Sequence, residues 1–269
     1  MEIDNQNLKI GFIGGGALAE AVISGIRGNF VASNNIFVAE PRRDRCAELI
    51  NRYRVNATTD IDNFVDSVNL LFLAVKPKDA HAALNNLKKK LTLNTTIMSV
   101  VAGLKISAIE NFFPNNPIIR VMPNVAVRVG EAMAAFTTNN RVLEADKILA
   151  KTFWASIGRA IEIDEKLMDA VTGLSGSGPA YAFLMIDALA DGGVAVGLPR
   201  NVAIELAAQT LLGAAKLVLE TGEHPAALRD KVTSPAGTTI EGVRVLERGG
   251  FRSALIEAVI AATDKSKNL

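Results

Sequence analysis

Three consecutive glycines, Gly14, Gly15 and Gly16, follow a short apolar run and precede a stretch in which apolar residues have helical spacing. With Ala19 they match the pattern G-x-G-x-x-G/A, in which the first glycine makes a tight turn and the second lets a pyrophosphate approach the backbone. The third small residue lets the helix pack closely against the strand. The first turn of a helix carries unpaired N–H groups and the positive end of the helix dipole, so it attracts phosphates. The pattern therefore predicts a dinucleotide site at this turn.

The second apolar run, residues 36–39, ends at an acidic residue, Glu40. A carboxylate at this place can bond the adenosine ribose, which favours NAD. Arg42, Arg43 and Arg45 follow directly and could hold a 2′-phosphate, which favours NADP. The same arginines could equally form the solvated first turn of a helix. The sequence leaves both cofactors open, and we prefer NADPH, with NADH as the alternative.

A second glycine turn lies in residues 225–247, where a serine, a proline and a glycine precede an amphipathic helix. In it Thr238 and Glu241 have the spacing of a capping box, which is a structural device. A turn of small residues ahead of a helix also presents backbone N–H groups that can bind a carboxylate. Two anion sites on one chain suit a dinucleotide and a small acidic substrate.

Short apolar runs alternate along the chain with charged, helix-compatible stretches, and these elements must position the first glycine turn. The runs are residues 8–13, 36–39, 70–75, 96–101 and 118–121. This alternation predicts a mostly parallel sheet with helices on both faces, and ligands of such sheets bind beyond the carboxyl ends of the strands. Turns or polar residues follow the runs, at Gly14–Gly16, Glu40-Pro41, Lys76-Pro77, Ala102-Gly103 and Met122-Pro123-Asn124. We therefore predict an α/β fold that begins with a Rossmann dinucleotide-binding domain, residues 1–162.

Long segments rich in Ala and Leu replace the strand-like runs in the last third of the chain. They cover residues 165–173, 179–196, 200–220 and 239–262. They predict an all-α C-terminal domain, residues 163–269. Residues 179–196 are apolar almost all the way round, so this helix must be covered on every side. Because few residues remain to bury it, a dimer interface is favoured over a bundle within one chain.

The composition excludes several classes of protein. The 29 basic and 28 acidic residues nearly cancel, so neither nucleic acid nor an anionic membrane is an expected partner. The lone cysteine, Cys46, excludes an intrachain disulfide, and the two histidines have no metal-binding spacing, so no metal is expected. The N-terminus lacks the pattern of a signal peptide, and no uninterrupted apolar run approaches the ~18 residues of a membrane helix. We expect a soluble, cytoplasmic protein.

Taken together, the motifs resemble the pyrroline-5-carboxylate reductase family. They are KIGFIGGG at 9–16, FLAVKP at 72–77, RVMPN at 120–124, GLSGSGPAY at 173–181, PAALRDKVTSPAGTTIEGVRVLE at 225–247 and VLERGGFR ending at residue 252. The resemblance implies reduction of the cyclic imine Δ1-pyrroline-5-carboxylate to L-proline by hydride from NAD(P)H, the last step of proline biosynthesis. It also implies a homodimer formed by the C-terminal helices, often assembled further into a decamer of five dimers.

The resemblance also implies roles for individual residues. The pyrophosphate would lie on the first glycine turn, at Gly14, Gly16, Ala17, Leu18 and Ala19. The nicotinamide would be lined by residues at three further strand ends, Val75, Lys76, Pro77, Ala102, Gly103 and Asn124. The substrate carboxylate would be held by the C-terminal loop, at Ser234, Gly237, Thr238 and Thr239. The Thr239 hydroxyl would meet the ring nitrogen of the substrate.

Two departures from the family pattern affect the cofactor site. The family usually has Asn-Met where this chain has Ala17-Leu18, and Thr where it has Val125. Two alternatives therefore stay open. One is a β-hydroxyacid dehydrogenase, although neither Lys216 nor Lys231 sits in the lysine motif of that family. The other is a dinucleotide-binding protein that has lost its chemistry.

Overall fold

The structure is a computed structural model that describes residues 7–88 and 90–268. The chain divides into two compact units: Met1–Gly176 with Ala262–Leu269, and Ser177–Ala261. These units are defined by contacts within the chain. The predicted domain boundary between residues 162 and 163 stays a prediction.

The first unit contains an eight-stranded sheet with the order β3-β2-β1-β4-β5-β6-β7-β8. The strands are β1 Ile10–Ile13, β2 Ile36–Ala39, β3 Asn56–Thr58, β4 Leu70–Leu73, β5 Thr96–Ser99, β6 Ile118–Met122, β7 Ala132–Thr138 and β8 Gly158–Glu162. All neighbouring pairs are parallel except β6 with β7. The chain moves from β1 outward to β3 and then back to β4 on the other side of β1, so the topological switch point lies between β1 and β4.

Helices connect the strands of this unit. They are α1 Ala17–Ile26, α2 Arg43–Tyr53, α3 Ala80–Leu87, α4 Ile106–Glu110, α5 Glu144–Ala155 and α6 Met168–Val171. A π-helix, Thr172–Gly176, follows α6. The mostly parallel sheet and the Rossmann architecture predicted from the sequence are confirmed.

The sheet buries both of its faces, as the apolar character of its strands requires. Along β1, Ile10 and Phe12 belong to one hydrophobic cluster and Ile13 to a second. Along β4, Phe72 belongs to the first cluster and Leu71 to the second. Successive side chains of a strand point to opposite faces, so the two clusters are the cores on either side of the sheet.

The second unit is helical. It contains α7 Gly178–Ala195, α8 Arg200–Thr221, α9 Pro225–Lys231, α10 Thr238–Arg248 and most of α11 Phe251–Lys267. The Ala- and Leu-rich segment 239–262 falls in two helices, because the glycines Gly249 and Gly250 separate α10 from α11. Gly250 has φ +72°, a left-handed conformation that ends a helix.

Much of the apolar surface of the second unit is exposed. In α8, which has 22 residues, only Ala203 and Ala207 are buried. Within the described part of the chain, α8 alone has the length and hydropathy of a membrane-crossing helix, with a mean of 1.6 in its most apolar window. Such a helix is weak evidence for a membrane, because apolar helices that pack against protein have the same composition.

Candidate active site

The register of the sheet brings four sequence-predicted strand ends to one edge. Ile13, the last residue of β1, pairs with Ala39 of β2 and with Leu73 of β4. Leu73 pairs in turn with Ser99, the last residue of β5. The residues that follow these strands therefore leave the sheet at the same level, on both sides of the switch point.

The first glycine turn has the geometry that a phosphate site needs. Gly14 has φ +98°, and a Cβ added to it would lie 2.7 Å from the carbonyl oxygen of Ala74, so that only glycine fits. Gly16 is the N-cap of α1, and no side chain of the described residues caps that helix. A Cβ on Gly16 would meet no described heavy atom within 4 Å. The backbone there is open to a ligand, and Ala19, which is fully buried, packs the helix onto the sheet.

Glu40 points back at the glycine turn. Its Oε2 accepts a hydrogen bond from the Gly15 N–H at 3.0 Å, and its Oε1 accepts one from Arg42 Nε at 2.9 Å. Burial alone would raise the pKa of Glu40, but hydrogen bonds from Arg42 and Gly15 outweigh it and hold the pKa below its ordinary value. The Glu40 carboxylate is therefore charged and already bonded at both oxygens.

The arginines that follow Glu40 differ in their surroundings. The side chains of Arg42 and Arg43 lie at the start of α2 and are exposed. Arg45 is nearly buried, and its Nε donates to the Gly15 carbonyl at 2.8 Å. Of the three arginines considered from the sequence, only Arg42 and Arg43 are placed to meet a phosphate from solvent.

A cleft of about 360 Å³ lies beside the ends of β1, β2 and β4. Three residues of the cofactor site predicted from the sequence, Gly14, Glu40 and Val75, line this cleft. Sequence reasoning missed other residues that line it, among them Thr59, Asp60, Asp79, Asn86 and Lys90. Thr59 and Asp60 follow the three-residue strand β3, and recognition of that strand would have placed them at the same edge.

The ends of β4 and β5 carry the other predicted cofactor residues of the sheet edge. Lys76 is the N-cap of the 3₁₀ helix Pro77–Asp79, and both Lys76 and Pro77 are exposed. After β5, Ala102 and Gly103 form a turn in which Gly103 has φ +75°. These residues are reachable from solvent at the carboxyl edge of the sheet.

Asn124 is held by its neighbours. Its Oδ1 accepts hydrogen bonds from the N–H groups of Ala126 and Met133, each at 3.3 Å. Its Nδ2 donates to the carbonyl oxygen of Ser175 in the π-helix at 3.2 Å. Asn124 therefore joins the RVMPN motif to the GLSGSGPAY motif, a connection that the sequence did not indicate.

The loop predicted to bind the substrate precedes α10. Gly237 is the N-cap of α10, and its N–H donates to the Ser234 carbonyl at 3.1 Å. A Cβ on Gly237 would lie 2.3 Å from Ser234 Oγ and 3.1 Å from the Ser234 carbonyl oxygen, so a larger residue would force the Ser234 side chain to move. Ala236 has φ +55°, a left-handed conformation that is uncommon for any residue but glycine.

The predicted capping box at Thr238 is wrong. Thr238 is the first residue of α10, and no side chain of the described residues caps the helix at Gly237. Glu241 instead forms an ion pair with Arg244 at 2.8 Å. The first N–H groups of α10, including those of Thr238 and Thr239, are therefore not used by the predicted cap, and both residues are exposed.

The described residues contain no group of three or more His, Cys, Asp and Glu side chains that could hold a metal ion. Each unit by itself offers a different kind of group. One is a glycine turn with arginines at the edge of a parallel sheet. The other is an open helix N-terminus with nearby hydroxyls. Both suit anionic ligands.

Comparison with known proteins gives concordant results. Residues 165–269 match the family described as pyrroline-5-carboxylate reductase dimerisation, and residues 9–103 match one described as NADP oxidoreductase, coenzyme F420-dependent. A pyrroline-5-carboxylate reductase of Synechocystis is 46% identical over 98% of this chain and 99% of its own length.

Solved structures agree with these matches over the whole chain. A pyrroline-5-carboxylate reductase of Coxiella burnetii has a TM-score of 0.91 at 32% identity and covers 98% of each chain. A pyrroline carboxylate reductase of Plasmodium falciparum with NADP bound has a TM-score of 0.88 at 33% identity, again over 98% of each chain. The chain described here belongs to the pyrroline-5-carboxylate reductase family.

Proposed function

We propose that this protein reduces Δ1-pyrroline-5-carboxylate to L-proline with NADPH, and that NADH is a second donor. The reaction is the last step of proline biosynthesis. One observation carries the proposal: a chain of this family has an open glycine turn at the carboxyl edge of its sheet and an uncapped helix N-terminus in its second unit. The first suits the pyrophosphate of a dinucleotide, and the second suits the carboxylate of the substrate.

Residues of the sheet edge would hold the cofactor. Gly14 would form the tight turn, and Gly16 and Ala17 would receive the pyrophosphate, because the backbone at Gly16 is open and α1 has no side-chain cap among the described residues. Leu18 and Ala19 support this turn, since Leu18 packs against the first core cluster and Ala19 belongs to it. The nicotinamide would lie along the predicted strand-end residues Val75, Lys76, Pro77, Ala102 and Gly103. Asn124 would fix the neighbouring loop through its three hydrogen bonds.

The C-terminal loop would hold the substrate. The N–H groups of Thr238 and Thr239 and the hydroxyl of Ser234 would bind its carboxylate, and Gly237, whose own N–H donates to the Ser234 carbonyl, would shape the turn that presents them. NADPH, when bound, would supply the hydride that adds to the imine carbon, and a proton taken up from solvent by the imine nitrogen would complete the secondary amine of proline. The Thr239 hydroxyl would hydrogen-bond that nitrogen and fix the ring. An imine nitrogen protonates readily, so the reaction needs positioning more than a strong acid.

A single assay tests the reaction. Purified protein is mixed with NADPH and pyrroline-5-carboxylate, and loss of the reduced nicotinamide absorbance is followed. The control reaction contains a 3-hydroxy acid and NADP. We expect oxidation of NADPH with the imine and no reaction in the control. Activity in the control alone would identify a β-hydroxyacid dehydrogenase, and inactivity in both would identify a protein without this chemistry.

Preference for NADPH would depend on Arg42 and Arg43. Both are exposed beside the cleft, whereas Glu40 is turned toward Gly15. We expect Arg42→Ala and Arg43→Ala to raise the KM for NADPH by about tenfold and to leave the KM for NADH nearly unchanged, because one charged contact to the 2′-phosphate is lost. Arg54→Ala, an exposed arginine at the other end of α2, is the control. If the KM for NADPH were unchanged in both variants, Arg42 and Arg43 would not bind the 2′-phosphate.

The proposed assembly is a homodimer through the C-terminal helices, with a decamer of five dimers as the larger form. The match to the dimerisation family over residues 165–269 and the exposed apolar surface of the second unit support it. We also propose that the protein is cytoplasmic and that α8 is covered by a second copy, not by lipid. Recovery of the expressed protein in the membrane fraction would contradict this location.

A further inference from the structure

Gly15, the middle residue of the first glycine turn, is held at both of its peptide groups by side chains from outside the turn. Its N–H donates to Glu40 Oε2 at 3.0 Å, and its carbonyl accepts from Arg45 Nε at 2.8 Å. The residue is buried, and a Cβ on it would lie 2.9 Å from Leu49 Cδ1. The turn is therefore fixed by an acidic residue at the end of β2 and a basic residue in α2.

The Arg45 guanidinium is fully engaged. Besides the Gly15 carbonyl, it contacts Glu20 through Nη2 at 2.5 Å and Glu48 through Nη1 at 2.6 Å. Its side chain is only 11% exposed. The hydrogen bond to Glu20 raises the pKa of Arg45 above its ordinary value. Arg45 is therefore always positively charged, and its donors point at protein groups. Arg42 and Arg43, in contrast, are exposed to solvent.

Glu20 anchors Arg45 from α1. Its carboxylate also accepts from Tyr53 Oη at 2.7 Å and from Arg52 Nη1 at 3.0 Å. Hydrogen bonds to Glu20 from Arg45 and Tyr53 outweigh the effect of burial and keep its pKa below the ordinary value. The guanidinium of Arg45 is therefore oriented by a charged partner on the same helix whose N-terminus would receive the pyrophosphate.

The direction of the Gly15 carbonyl determines the direction of the next N–H group. The Gly15 carbonyl and the Gly16 N–H belong to one planar peptide unit, and in a trans peptide they point in opposite directions. No cis peptide bond occurs in the described chain. Because Arg45 draws the carbonyl toward α2, the Gly16 N–H points away from α2. A glycine turn without this contact could rotate its peptide, since glycine is permissive in φ and ψ.

We propose that Arg45 is a positioning residue for the dinucleotide, acting through the Gly15 carbonyl to aim the Gly16 N–H at the pyrophosphate. This inference rests on the proposed use of NADPH. Arg45 itself does not touch the cofactor. Without the Arg45 side chain the glycine turn is not held in the binding conformation, so part of the binding free energy of NADPH is used to order the turn and the affinity falls.

The test compares Arg45→Gln and Arg45→Lys with the control Arg52→Gln. Arg52 bonds the same Glu20 carboxylate, but its side chain is 64% exposed, and within the described part of the chain it contacts Glu20 and the Tyr53 ring rather than the glycine turn. Arg45→Lys keeps a positive charge beside Glu20, but lysine lacks the planar guanidinium group that donates to both Glu20 and the Gly15 carbonyl. It therefore tests the idea even if Arg45→Gln is too unstable to purify.

Binding of NADPH is measured by nicotinamide fluorescence, together with melting temperature and steady-state constants. We expect both Arg45 variants to bind NADPH about tenfold more weakly, since one charge-assisted hydrogen bond to the turn is lost. Their KM for NADPH should rise, whereas kcat at saturating NADPH and KM for the imine should stay near wild type. Arg52→Gln should bind NADPH like the wild type, even if its melting temperature falls.

Two results would overturn the inference while leaving the proposed function intact. One is wild-type NADPH affinity in both Arg45 variants. The other is equal weakening in Arg52→Gln, which would assign the effect to packing of α1 against α2. If the wild-type protein did not bind NADPH at all, both the proposed function and this inference would be overturned. Binding to the wild type is measured first, so this outcome is distinguished from an effect of the variants.

Discussion

At the scale of single residues, Thr239 carries the sharpest prediction. It is the second residue of α10, exposed, and next to a turn whose Gly237 and Ser234 are in close contact. A threonine hydroxyl can donate to a neutral imine nitrogen or accept from a protonated one. We expect Thr239→Val to lower kcat about a hundredfold, the lower range for loss of a hydrogen-bonding group at a reacting atom. Binding of NADPH, measured by fluorescence, should not change.

Thr233→Val is the matched control for Thr239→Val. The Thr233 hydroxyl lies in the same loop but donates to the Arg229 carbonyl at 2.7 Å, so it is used within the protein. Its removal should leave kcat unchanged. Turnover at the wild-type rate in Thr239→Val, measured beside this control, would refute the role of Thr239 and would leave the family assignment untouched.

At the scale of elements, the sequence predicted the strands that form short apolar runs followed by a turn or a polar residue. The runs at 36–39, 70–75, 96–101 and 118–121 each contain an observed strand, because continuous apolar segments bounded by turns are typical of parallel sheets. The strands β3, β7 and β8 were not predicted. β3 has one exposed and two half-buried residues, β7 reads AMAAFTT, and β8 reads GRAIE. None of these has the β-branched run that identifies a buried strand.

The partners of the glycine turn illustrate what the sequence could not provide. The pattern of glycines predicts the turn, and the sequence also indicates that Glu40 directly follows β2. Their hydrogen bond depends on β2 lying next to β1, since Glu40 and Gly15 are 25 positions apart. The orientation of a carboxylate toward a turn, and not toward a ribose, is a tertiary property that spacing does not encode.

The connection between β2 and the glycine turn predicts a dependence of stability on pH. The folded-state pKa of Glu40 lies below its ordinary value of 4.5, so the charged carboxylate stabilises the folded protein. This contribution is present above about pH 4.5 and is lost as the pH falls through the folded-state pKa. We expect Glu40→Gln to be less stable than the wild type at pH 7, and the difference to shrink as the pH is lowered toward 3.5.

Urea unfolding of the wild type and of Glu40→Gln at several pH values measures this difference. Glu20 also has a lowered pKa and contributes acid sensitivity of the same sign, but it is present in both proteins and cancels in the comparison. A difference in the free energy of unfolding that stays constant from pH 7 to about 3.5 would contradict the contribution assigned to Glu40.

At the scale of the whole molecule, apolar surface is distributed unevenly. The first unit has two buried clusters, whereas the second unit leaves exposed leucines, isoleucines and valines on α7, α8, α10 and α11. Exposed apolar patches of this extent mark surfaces that are covered in the functional assembly. The formal net charge of the chain is +1, so electrostatic attraction to an anionic membrane is weak, which supports the proposal that a second copy covers this surface.

The face of α8 that a partner would cover can be located. Ala203 and Ala207 are the buried residues of α8, and a Cβ on Gly193 of α7 would lie 3.0 Å from Ala203 Cβ, so this narrow face packs within the unit. At 3.6 residues per turn, Leu212 lies on the opposite side of the helix from Ala203. Leu212 is 54% exposed in the isolated chain. In a dimer formed through the Leu212 side of α8, a charged side chain at position 212 would be buried without an opposite charge, which is strongly unfavourable.

We therefore expect Leu212→Asp to dissociate the dimer. Sedimentation equilibrium should give a monomer mass, or a dimer that dissociates at micromolar concentration, where the wild type stays assembled. Leu143→Asp is the control, because Leu143 is 69% exposed and lies in the first unit, at the start of α5. It should leave the mass unchanged. A Leu212→Asp protein with the wild-type mass would show that the dimer interface uses other faces of the C-terminal helices, and a monomeric wild type would contradict the proposed assembly itself.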